Sequence, residues 1–200
     1  FVFFFNTAGA RINEGLDALK GYGKIIKSLS RAIGEIPTIS VITGKCVGAA
    51  SIIASMTDFS VMSDDSYFAF SGQDSLASTT LSDVKKVCDS NGVSKTGRVT
   101  LTASNRAECF VKVKELLCYL PDNCQSDILE TESSDDFNRS INADKFDTFA
   151  EYDVKDLISQ IADDGSYIEL FPDYARSVST CFAKIGNKSV GIIANQPSEN

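Results

Sequence analysis

Residues 37–58, with the sequence PTISVITGKCVGAASIIASMTD, constrain the fold more than any other part of this chain. The run begins with β-branched and apolar residues, which predict a buried strand over residues 38–43. Gly44 interrupts the strand, and small residues with isoleucines then predict a helix from about Gly48. A tight strand-to-helix turn directs backbone N–H groups to one point at the positive end of the helix dipole. We therefore expect this turn to bind an anion or a developing oxyanion.

A second turn of the same kind follows the first strand. Residues 1–5 are apolar and predict a strand covered on both faces, and the turn sequence NTAGARINEG occupies residues 6–15. Either turn alone is weak evidence, because α/β proteins commonly place glycine in such loops and neither turn matches a phosphate-binding fingerprint. Turns after neighbouring parallel strands lie at the same edge of a sheet. One N–H group from each turn could then hold a single carbonyl oxygen as an oxyanion hole.

The patterns around the two turns predict an α/β fold. Strand, helix, strand, helix and strand follow one another, which is typical of parallel pairing. The leucines and isoleucines of residues 16–33 predict a helix that is interrupted at Gly21 and Gly23. Residues 59–62 and 67–70 flank the sequence SDDS and predict a hairpin or a strand pair with a tight turn.

The second half of the chain is less regular. Residues 71–104 are polar and predict only a short helix near residues 81–87 and a short strand at residues 98–102. Asn105 followed by Glu108 then predicts the capped start of an amphipathic helix.

Three segments are expected from these patterns. Residues 1–125 form part of a first domain, residues 126–150 an acidic linker, and residues 151–200 the start of a second domain. The second domain contains two strands joined by a two-residue turn, Gly186-Asn187. Because the chain begins inside a strand and stops after two strands are made, we expect sequence to be missing before residue 1 and the second domain to be cut off.

The composition excludes several classes of function. The chain has no histidine, which removes Ser-His-Asp and Cys-His catalysis and nearly every zinc site. The GAAS sequence at residues 48–51 resembles the nucleophile turn of Clp-type serine proteases, but without histidine Ser51 is interpreted as a small helix residue. A net charge of −8 argues against a nucleic-acid surface, and no apolar run reaches transmembrane length. Six cysteines without regular spacing indicate free thiols in a reducing cytoplasm.

Four stretches together resemble one protein family. They are FFFNTAGARINEGLDALKGYG, IPTISVITGKCVGAASIIASMTDFSVM, YDVKDLISQIADDGSYIELFPDYARS and FAKIGNKSVGIIANQP, in that order along the chain. In sequence and in order, these stretches resemble those of the carboxyltransferase (β) component of biotin-dependent acyl-CoA carboxylases, a branch of the crotonase superfamily. The resemblance implies a crotonase-like fold of repeated ββα units, with the last two stretches beginning a second domain of the same kind.

The resemblance also implies a reaction and a site. Members of the family move a carboxyl group between carboxybiotin, held on a separate carrier protein or domain, and the α-carbon of a short acyl-CoA. Backbone N–H groups hold the thioester enolate, and no metal is implied. Carried over by position, the implied oxyanion hole consists of backbone N–H groups at Ala8, Gly9, Gly48 and Ala49. The implied substrate-binding residues are Thr7, Ala10, Arg11, Lys45 and Cys46. Implied partners are a biotin carboxyl carrier protein, a biotin carboxylase component and further copies of the chain, without nucleic acid or a membrane span.

Two alternatives stay open. The first is the α subunit of a biotin-dependent acyl-CoA decarboxylase, which runs the transfer onto biotin. The second is a non-catalytic paralogue or partial chain with a structural role, which the alanines at positions 8 and 49 favour because the family usually has glycine there. A hydratase of the same superfamily is disfavoured, because Ile52 occupies the position where a catalytic glutamate would fall.

Overall fold

The structure, a computed structural model, describes residues 1–78, 83–127, 135–136, 138–140, 142 and 152–199. Its elements alternate helices and strands up to residue 117 and end in a helix followed by three strands. The strands are β1 (Val2–Thr7), β2 (Ile39–Val47), β3 (Phe59–Ser63), β4 (Tyr67–Ala69), β5 (Leu101–Ala103), β6 (Tyr167–Leu170), β7 (Val178–Ile185) and β8 (Lys188–Asn195). The helices are α1 (Gly15–Ala32), α2 (Ala49–Met56), α3 (Gln73–Ala77), α4 (Val84–Cys88), α5 (Ser90–Ser94), α6 (Arg106–Leu117) and α7 (Val154–Ile161). Single 3-10 turns occupy Ile12–Glu14 and Pro197–Glu199.

Strand β2 is the centre of a parallel sheet with the order β1-β2-β3-β5. The predicted strands flanking SDDS exist, but the predicted pairing between them is wrong. Strand β3 pairs with the first half of β2, from Ile39 to Ile42, and β4 pairs with its second half, from Lys45 to Val47, both in parallel. Because β2 is long enough to serve two partners in succession, the turn between β3 and β4 carries the chain along β2 and makes no hairpin.

The two faces of β2 are covered by different helices. Ile39 and Val41 belong to an apolar cluster with Leu116 of α6, and Ile42 belongs to another with Ile53 of α2. This alternation follows from the period of two in a strand and explains why β2 has apolar residues on both faces. At the start of the strand, the Asp58 carboxylate accepts hydrogen bonds from the Thr38 backbone N–H (2.9 Å) and hydroxyl (2.6 Å).

Strand β1 is more exposed than its sequence predicts. Phe5 is buried, but Phe1 and Phe4 are 65% and 61% exposed, so the expectation of a strand covered on both faces is wrong in this chain. The reason is topological, since β1 lies at the end of the sheet. On its outer face Phe4 contacts Phe110 of α6 edge-on, with ring centroids 5.6 Å apart.

Helix α1 is continuous from Gly15 to Ala32, so the predicted interruption at Gly21 and Gly23 is wrong. Each glycine costs about 1 kcal/mol relative to alanine in a helix interior. Packing of the helix on the core offsets that cost, because Leu29 is fully buried and its neighbours Tyr22 and Ile26 pack against the same cluster. The first turns of the helix leave several large apolar side chains at the surface, namely Ile12, Leu16, Leu19 and Ile25.

The described residues of the polar region after β4 contain three short helices. Helix α4 overlaps the second half of the predicted segment and extends to Cys88, whereas Leu81 falls outside the described residues. The predicted strand at residues 98–102 is confirmed as β5, which is Leu101–Ala103. The predicted helix cap is confirmed, because the Asn105 side chain accepts a hydrogen bond from the Glu108 backbone N–H at 3.0 Å.

The three C-terminal strands form an antiparallel sheet with the order β6-β7-β8. The predicted turn at Gly186-Asn187 is confirmed, since Ile185 pairs with Lys188 and both turn residues have positive φ (59° and 69°). The Asp163 carboxylate fixes this turn by accepting hydrogen bonds from the two turn N–H groups at 2.9 and 2.8 Å.

The C-terminal sheet packs against the first part of the chain. Phe182 of β7 contacts Phe59 edge-on and stacks on Tyr119, with centroid distances of 5.8 and 6.1 Å. A backbone hydrogen bond of 2.9 Å from Phe171 N to Thr100 O adds a polar link. Most of the predicted acidic linker, residues 126–150, lies outside the described residues, and the three domain boundaries stay predictions.

Candidate oxyanion site at the sheet edge

The second turn connects β2 to α2 through Gly48. This residue has φ of +68°, a conformation that glycine adopts without the steric cost of a side chain. Its N–H donates to the Phe70 carbonyl at 2.9 Å, and its carbonyl accepts from the Ser51 N–H at 3.0 Å and the Ser51 hydroxyl at 2.8 Å. Ser51 is therefore a buried residue that closes the turn, and its place in α2 agrees with its interpretation from the sequence as a small helix residue.

Those hydrogen bonds decide which N–H group of this turn is available. The Gly48 N–H is used by Phe70, whereas Ala49 is the first residue of α2 and has no carbonyl one helical turn before it within that helix. Of the two N–H groups predicted from the second turn, the structure thus favours Ala49. The same position carries the positive end of the α2 dipole.

The first turn is organised by Thr7. Its hydroxyl oxygen accepts the Gly9 N–H at 3.2 Å, which bends the chain immediately after β1. Gly9 has φ of +107°, where a side chain would be strained. Arg11 and Glu14 form an exposed ion pair of 3.0 Å within the following 3-10 turn. Arg11 therefore orders its own loop.

The two turns are in contact. Thr7 lies opposite Cys46 in the β1–β2 pairing, so both turns leave the sheet at the same edge. A Cβ atom added to Gly48 would lie 3.9 Å from Gly9 Cα, and one added to Gly9 would lie 3.5 Å from the Val47 carbonyl oxygen. The sequence placed two turns at one sheet edge, and the structure brings their backbones so close that a single added Cβ atom would reach van der Waals contact with the other turn.

The first turn opens into a groove of about 420 Å³ along α1. Thr7, Gly9, Ala10 and Arg11 line it, which are four of the residues predicted from the sequence. The α1 side of the groove is formed by Glu14, Asp17, Ala18, Gly21, Tyr22 and Ile25. A bound molecule can therefore reach the first turn and the helix surface together.

This geometry can be compared with known proteins. The family model described as "Carboxyl transferase domain" matches residues 1–200. The chain belongs to the carboxyl transferase domain family. This membership accounts for the resemblance noted in the sequence and for the α/β fold with a parallel sheet.

Several members of the carboxyl transferase domain family are similar over nearly the whole chain. The methylmalonyl-CoA carboxyltransferase 12S subunit of Propionibacterium freudenreichii subsp. shermanii is 34% identical over 99% of this chain and 39% of its own length. The methylmalonyl-CoA decarboxylase subunit alpha of Veillonella parvula is 39% identical over 96% of this chain and 39% of its own. The human mitochondrial propionyl-CoA carboxylase beta chain is 31% identical, with 96% and 37% covered.

A solved structure of the family has the same fold. The crystal structure of transcarboxylase 12S, described as a hexamer assembly with methylmalonyl-coenzyme A and methylmalonic acid bound, superposes with a TM-score of 0.93 at 33% identity. The superposition covers 99% of this chain and 40% of that one. The chain thus spans about 39% of the length of the relatives that it matches. The predicted crotonase-like α/β class is confirmed.

The other two residues predicted to bind substrate, Lys45 and Cys46, lie in different environments from each other. Lys45 is exposed beside the turn, with its side chain at the surface. The Cys46 side chain is fully buried in the core, and burial raises the pKa of its thiol to about 12, an effect that the nearby Arg98 opposes. In this carboxyl transferase domain the Cys46 side chain therefore packs the core, and only its backbone faces the turn.

The remaining titratable groups do not form a metal site in the part of the chain that the structure describes. No three of its cysteine, aspartate and glutamate side chains cluster closely enough to hold a metal ion. All six cysteines carry free thiols. Ile52, in the first helical turn of α2, is 40% exposed. Among the described helices, none is both long and apolar enough to cross a bilayer.

Asn6 is a residue of this site that the sequence interpretation missed. Its side-chain oxygen accepts the Lys45 N–H at 3.3 Å across the gap between the segments that lead into the two turns. The only signal in the sequence was its position, one residue before Thr7 at the end of an apolar strand.

Proposed function

We propose that this chain is the acyl-CoA side of a carboxyltransferase that moves a carboxyl group between carboxybiotin and the α-carbon of a short acyl-CoA. The observation that carries the proposal is the contact between the two strand-to-helix turns, with Gly48 and Gly9 close enough for their loops to share one ligand atom. Membership of the carboxyl transferase domain family supports it. Because the chain spans about 39% of its relatives, the complete activity is proposed for the whole protein.

The role of the chain in this reaction is to stabilise negative charge. Removing a proton from the α-carbon of a thioester leaves an enolate whose charge lies on the former carbonyl oxygen. We place that oxygen between the Ala49 N–H of the second turn and the N–H groups of Ala8 and Gly9 of the first. A substrate oxygen would replace the Thr7 hydroxyl at the Gly9 N–H, where the present bond is 3.2 Å long. Hydrogen-bond donors that are fixed before the reaction stabilise such an oxyanion at little reorganisation cost.

Biotin, when bound on its carrier, supplies the carboxyl group and, once decarboxylated, a nitrogen that takes the α-proton. The N–H groups of the two turns need only hold the oxygen, so no histidine or metal is required from this chain. Gly9, Ala10 and Gly21 leave the groove open for the acyl-CoA, and we place the acyl group and the adjoining arm of coenzyme A there.

The same proposal specifies partners. We infer that the whole protein works with a biotin carboxyl carrier protein and a biotin carboxylase component in the cytoplasm. We also infer that it forms a homo-oligomer whose site lies at a subunit interface, since transcarboxylase 12S is described as a hexamer. The exposed apolar side chains at Phe1, Phe4 and Leu16 agree with further burial in such an assembly.

A second candidate function is transfer in the opposite direction, from an acyl-CoA onto biotin. One relative favours it, since the Veillonella parvula protein that is 39% identical carries the name methylmalonyl-CoA decarboxylase subunit alpha. The geometry of the two turns serves both directions equally, because both pass through the same enolate.

A biotin-dependent exchange assay on the complete gene product tests the proposal. It would use acetyl-, propionyl-, methylcrotonyl-, glutaconyl- and methylmalonyl-CoA with carrier-bound biotin, and we expect exchange with at least one of them. Dependence on a biotin carboxylase and ATP would indicate carboxylation, and net loss of carboxylate from the acyl-CoA would indicate decarboxylation. A folded protein that shows no exchange with any of the five would contradict both candidates and leave a structural role.

The Ala49 N–H provides a sharper test. We expect Ala49→Pro, which deletes that N–H, to lower kcat on the order of a hundredfold. Proline is tolerated in the first turn of a helix, so α2 should remain folded. The matched control is Ala49→Gly, which keeps the N–H and should keep kcat within about threefold of the original. Unchanged turnover in a folded Ala49→Pro protein would remove Ala49 from the site.

A further inference from the structure

The pairing of β1 with β2 contains an irregularity just before the two turns. Phe5 lies opposite Ile42, and the next partners are Thr7 and Cys46. Between these pairs β1 has only Asn6, whereas β2 has the three residues 43–45. The longer segment of β2 therefore bulges, and its backbone N–H and C=O groups need hydrogen-bond partners outside the β1–β2 pairing.

The Asn6 side chain fills this bulge. Its Oδ1 accepts the Lys45 N–H at 3.3 Å. It also occupies the space where a side chain of Gly44 would be, because a Cβ atom on Gly44 would lie 2.6 Å from Asn6 Cγ and 3.2 Å from Asn6 Cβ. Asn6 and Gly44 are thus complementary in shape. The expected interruption of the strand at Gly44 is wrong, because β2 continues through that residue to Val47, and the space that Asn6 occupies explains why the residue there is glycine.

The position of Asn6 connects it to both turns. It directly precedes Thr7, whose hydroxyl holds the Gly9 N–H, and its partner Lys45 lies three residues before Gly48. A shift of the Asn6 side chain would therefore change where the first turn sits relative to the second. We propose that Asn6 is a positioning residue that sets the spacing between the N–H groups of the two turns, an inference that rests on the proposed carboxyltransferase function.

The test is a comparison of kcat and KM in the complete gene product. With Asn6→Ala we expect kcat for carboxyl exchange to fall about tenfold to a hundredfold, because a small misplacement of stabilising groups has effects of that size. KM for the acyl-CoA should stay within about twofold, since an interaction made mainly in the transition state is the one that is lost. Asn6→Asp retains the acceptor oxygen and should restore kcat to within about fivefold of the original.

Asn123→Ala is the matched control for a purely structural effect. Asn123 also accepts one backbone N–H through its side chain, from Gln125 at 2.9 Å. It lies at the opposite end of the sheet, where the neighbouring Cys124 N–H bonds to Glu35 O at 2.8 Å just before β2 begins. This variant should keep its kcat, and its change in Tm measures how much stability is lost when one such hydrogen bond is removed.

Each outcome has one meaning. If the original protein shows no exchange, the proposed function fails and this inference fails with it. If the original protein is active and Asn6→Ala keeps its kcat, only the positioning role of Asn6 is overturned. Equal losses of kcat in Asn6→Ala, Asn6→Asp and Asn123→Ala would likewise overturn it. Should Asn6→Ala not fold, Gly44→Ala displaces the same side chain without removing it, and unchanged kcat in that variant would also contradict the proposal.

Discussion

At the scale of single residues, Gln196 joins the end of the last strand to the start of α7. It is 4% exposed, and its Oε1 accepts the Val154 N–H at 2.9 Å while its Nε2 donates to the Asp153 carboxylate at 2.6 Å. The bond from Gln196, followed by that from the Lys155 backbone N–H, lowers the pKa of Asp153 below its usual value. Asp153 also caps α7, so the Gln196 side chain contacts both the first residue of the helix and its capping residue.

We expect Gln196→Ala to lower the free energy of unfolding by about 1–3 kcal/mol at pH 7, because a buried N–H loses its acceptor. The pH dependence should change as well. A carboxylate with a lowered pKa stabilises the folded state above its unfolded pKa, about 3.9, and that contribution is lost as the pH falls through the folded value. The variant should therefore lose less stability than the original as the pH falls below about 3.9. Urea unfolding at several pH values would measure both effects.

The control for this prediction is Gln196→Glu at neutral pH. It keeps an acceptor for the Val154 N–H but places a second carboxylate beside Asp153, which should raise the pKa of Asp153. Parallel pH profiles for the original protein and Gln196→Ala would show that Gln196 does not control this titration.

At the scale of elements, α1 contains two interior glycines that neither their backbone conformation nor close packing against the described residues requires. A Cβ atom at Gly21 or at Gly23 would meet no other heavy atom within 4 Å, and neither residue has a positive φ. They differ in one respect, since Gly21 lines the groove that begins at the first turn and Gly23 does not. Comparing alanine substitutions at the two positions therefore distinguishes the cost of glycine in a helix from a need for open space in the groove.

We expect Gly21→Ala and Gly23→Ala each to raise the free energy of unfolding by about 0.5–1 kcal/mol, because alanine loses less backbone entropy in a helix. Only Gly21→Ala should raise KM for the acyl-CoA in the complete protein, since its methyl group would project into the proposed binding groove. Denaturant unfolding and steady-state kinetics would check the two effects. A matching rise of KM in Gly23→Ala would show that the groove is not where the substrate lies.

At the scale of the whole molecule, Phe182 is an apolar link between the C-terminal sheet and the first part of the chain. Its ring contacts both Phe59 and Tyr119, and it packs against the cluster that includes Leu116 of α6 and Ile168 of β6. A single residue of β7 thus packs against residues that are more than 60 positions earlier in the chain.

We expect Phe182→Ala to lower the free energy of unfolding by about 2–4 kcal/mol and to separate the unfolding of the two parts. Phe110→Ala is the control, because Phe110 is 45% exposed and has its ring contact with Phe4 on the outer face of the parallel sheet. That variant should lose less than about 1.5 kcal/mol. A single cooperative transition with unchanged midpoint in Phe182→Ala would show that the two parts do not stabilise each other through this contact.

The sequence predicted the local features of the fold well. Turn and cap chemistry depends on neighbouring residues, so the strand-to-helix turn at Gly48, the cap at Asn105 and the hairpin at Gly186 were readable from short patterns. The parallel pairing of β1, β2 and β3 was also predicted correctly, but the predicted hairpin between β3 and β4, which depended on distant partners, was wrong. That pairing is decided by the length of β2, which offers a second partner segment that is invisible from the residues of β3 and β4.

For the candidate site, the sequence alone indicated the chemistry that we propose. The absence of histidine and two small-residue turns after apolar strands favoured an oxyanion site built from backbone N–H groups. Only the tertiary structure decided which groups are free, because Phe70 uses the Gly48 N–H and leaves the one at Ala49. Only the tertiary structure placed Asn6 against Gly44. Backbone donors are present at every residue except proline, and long-range packing determines which of them still lack a partner.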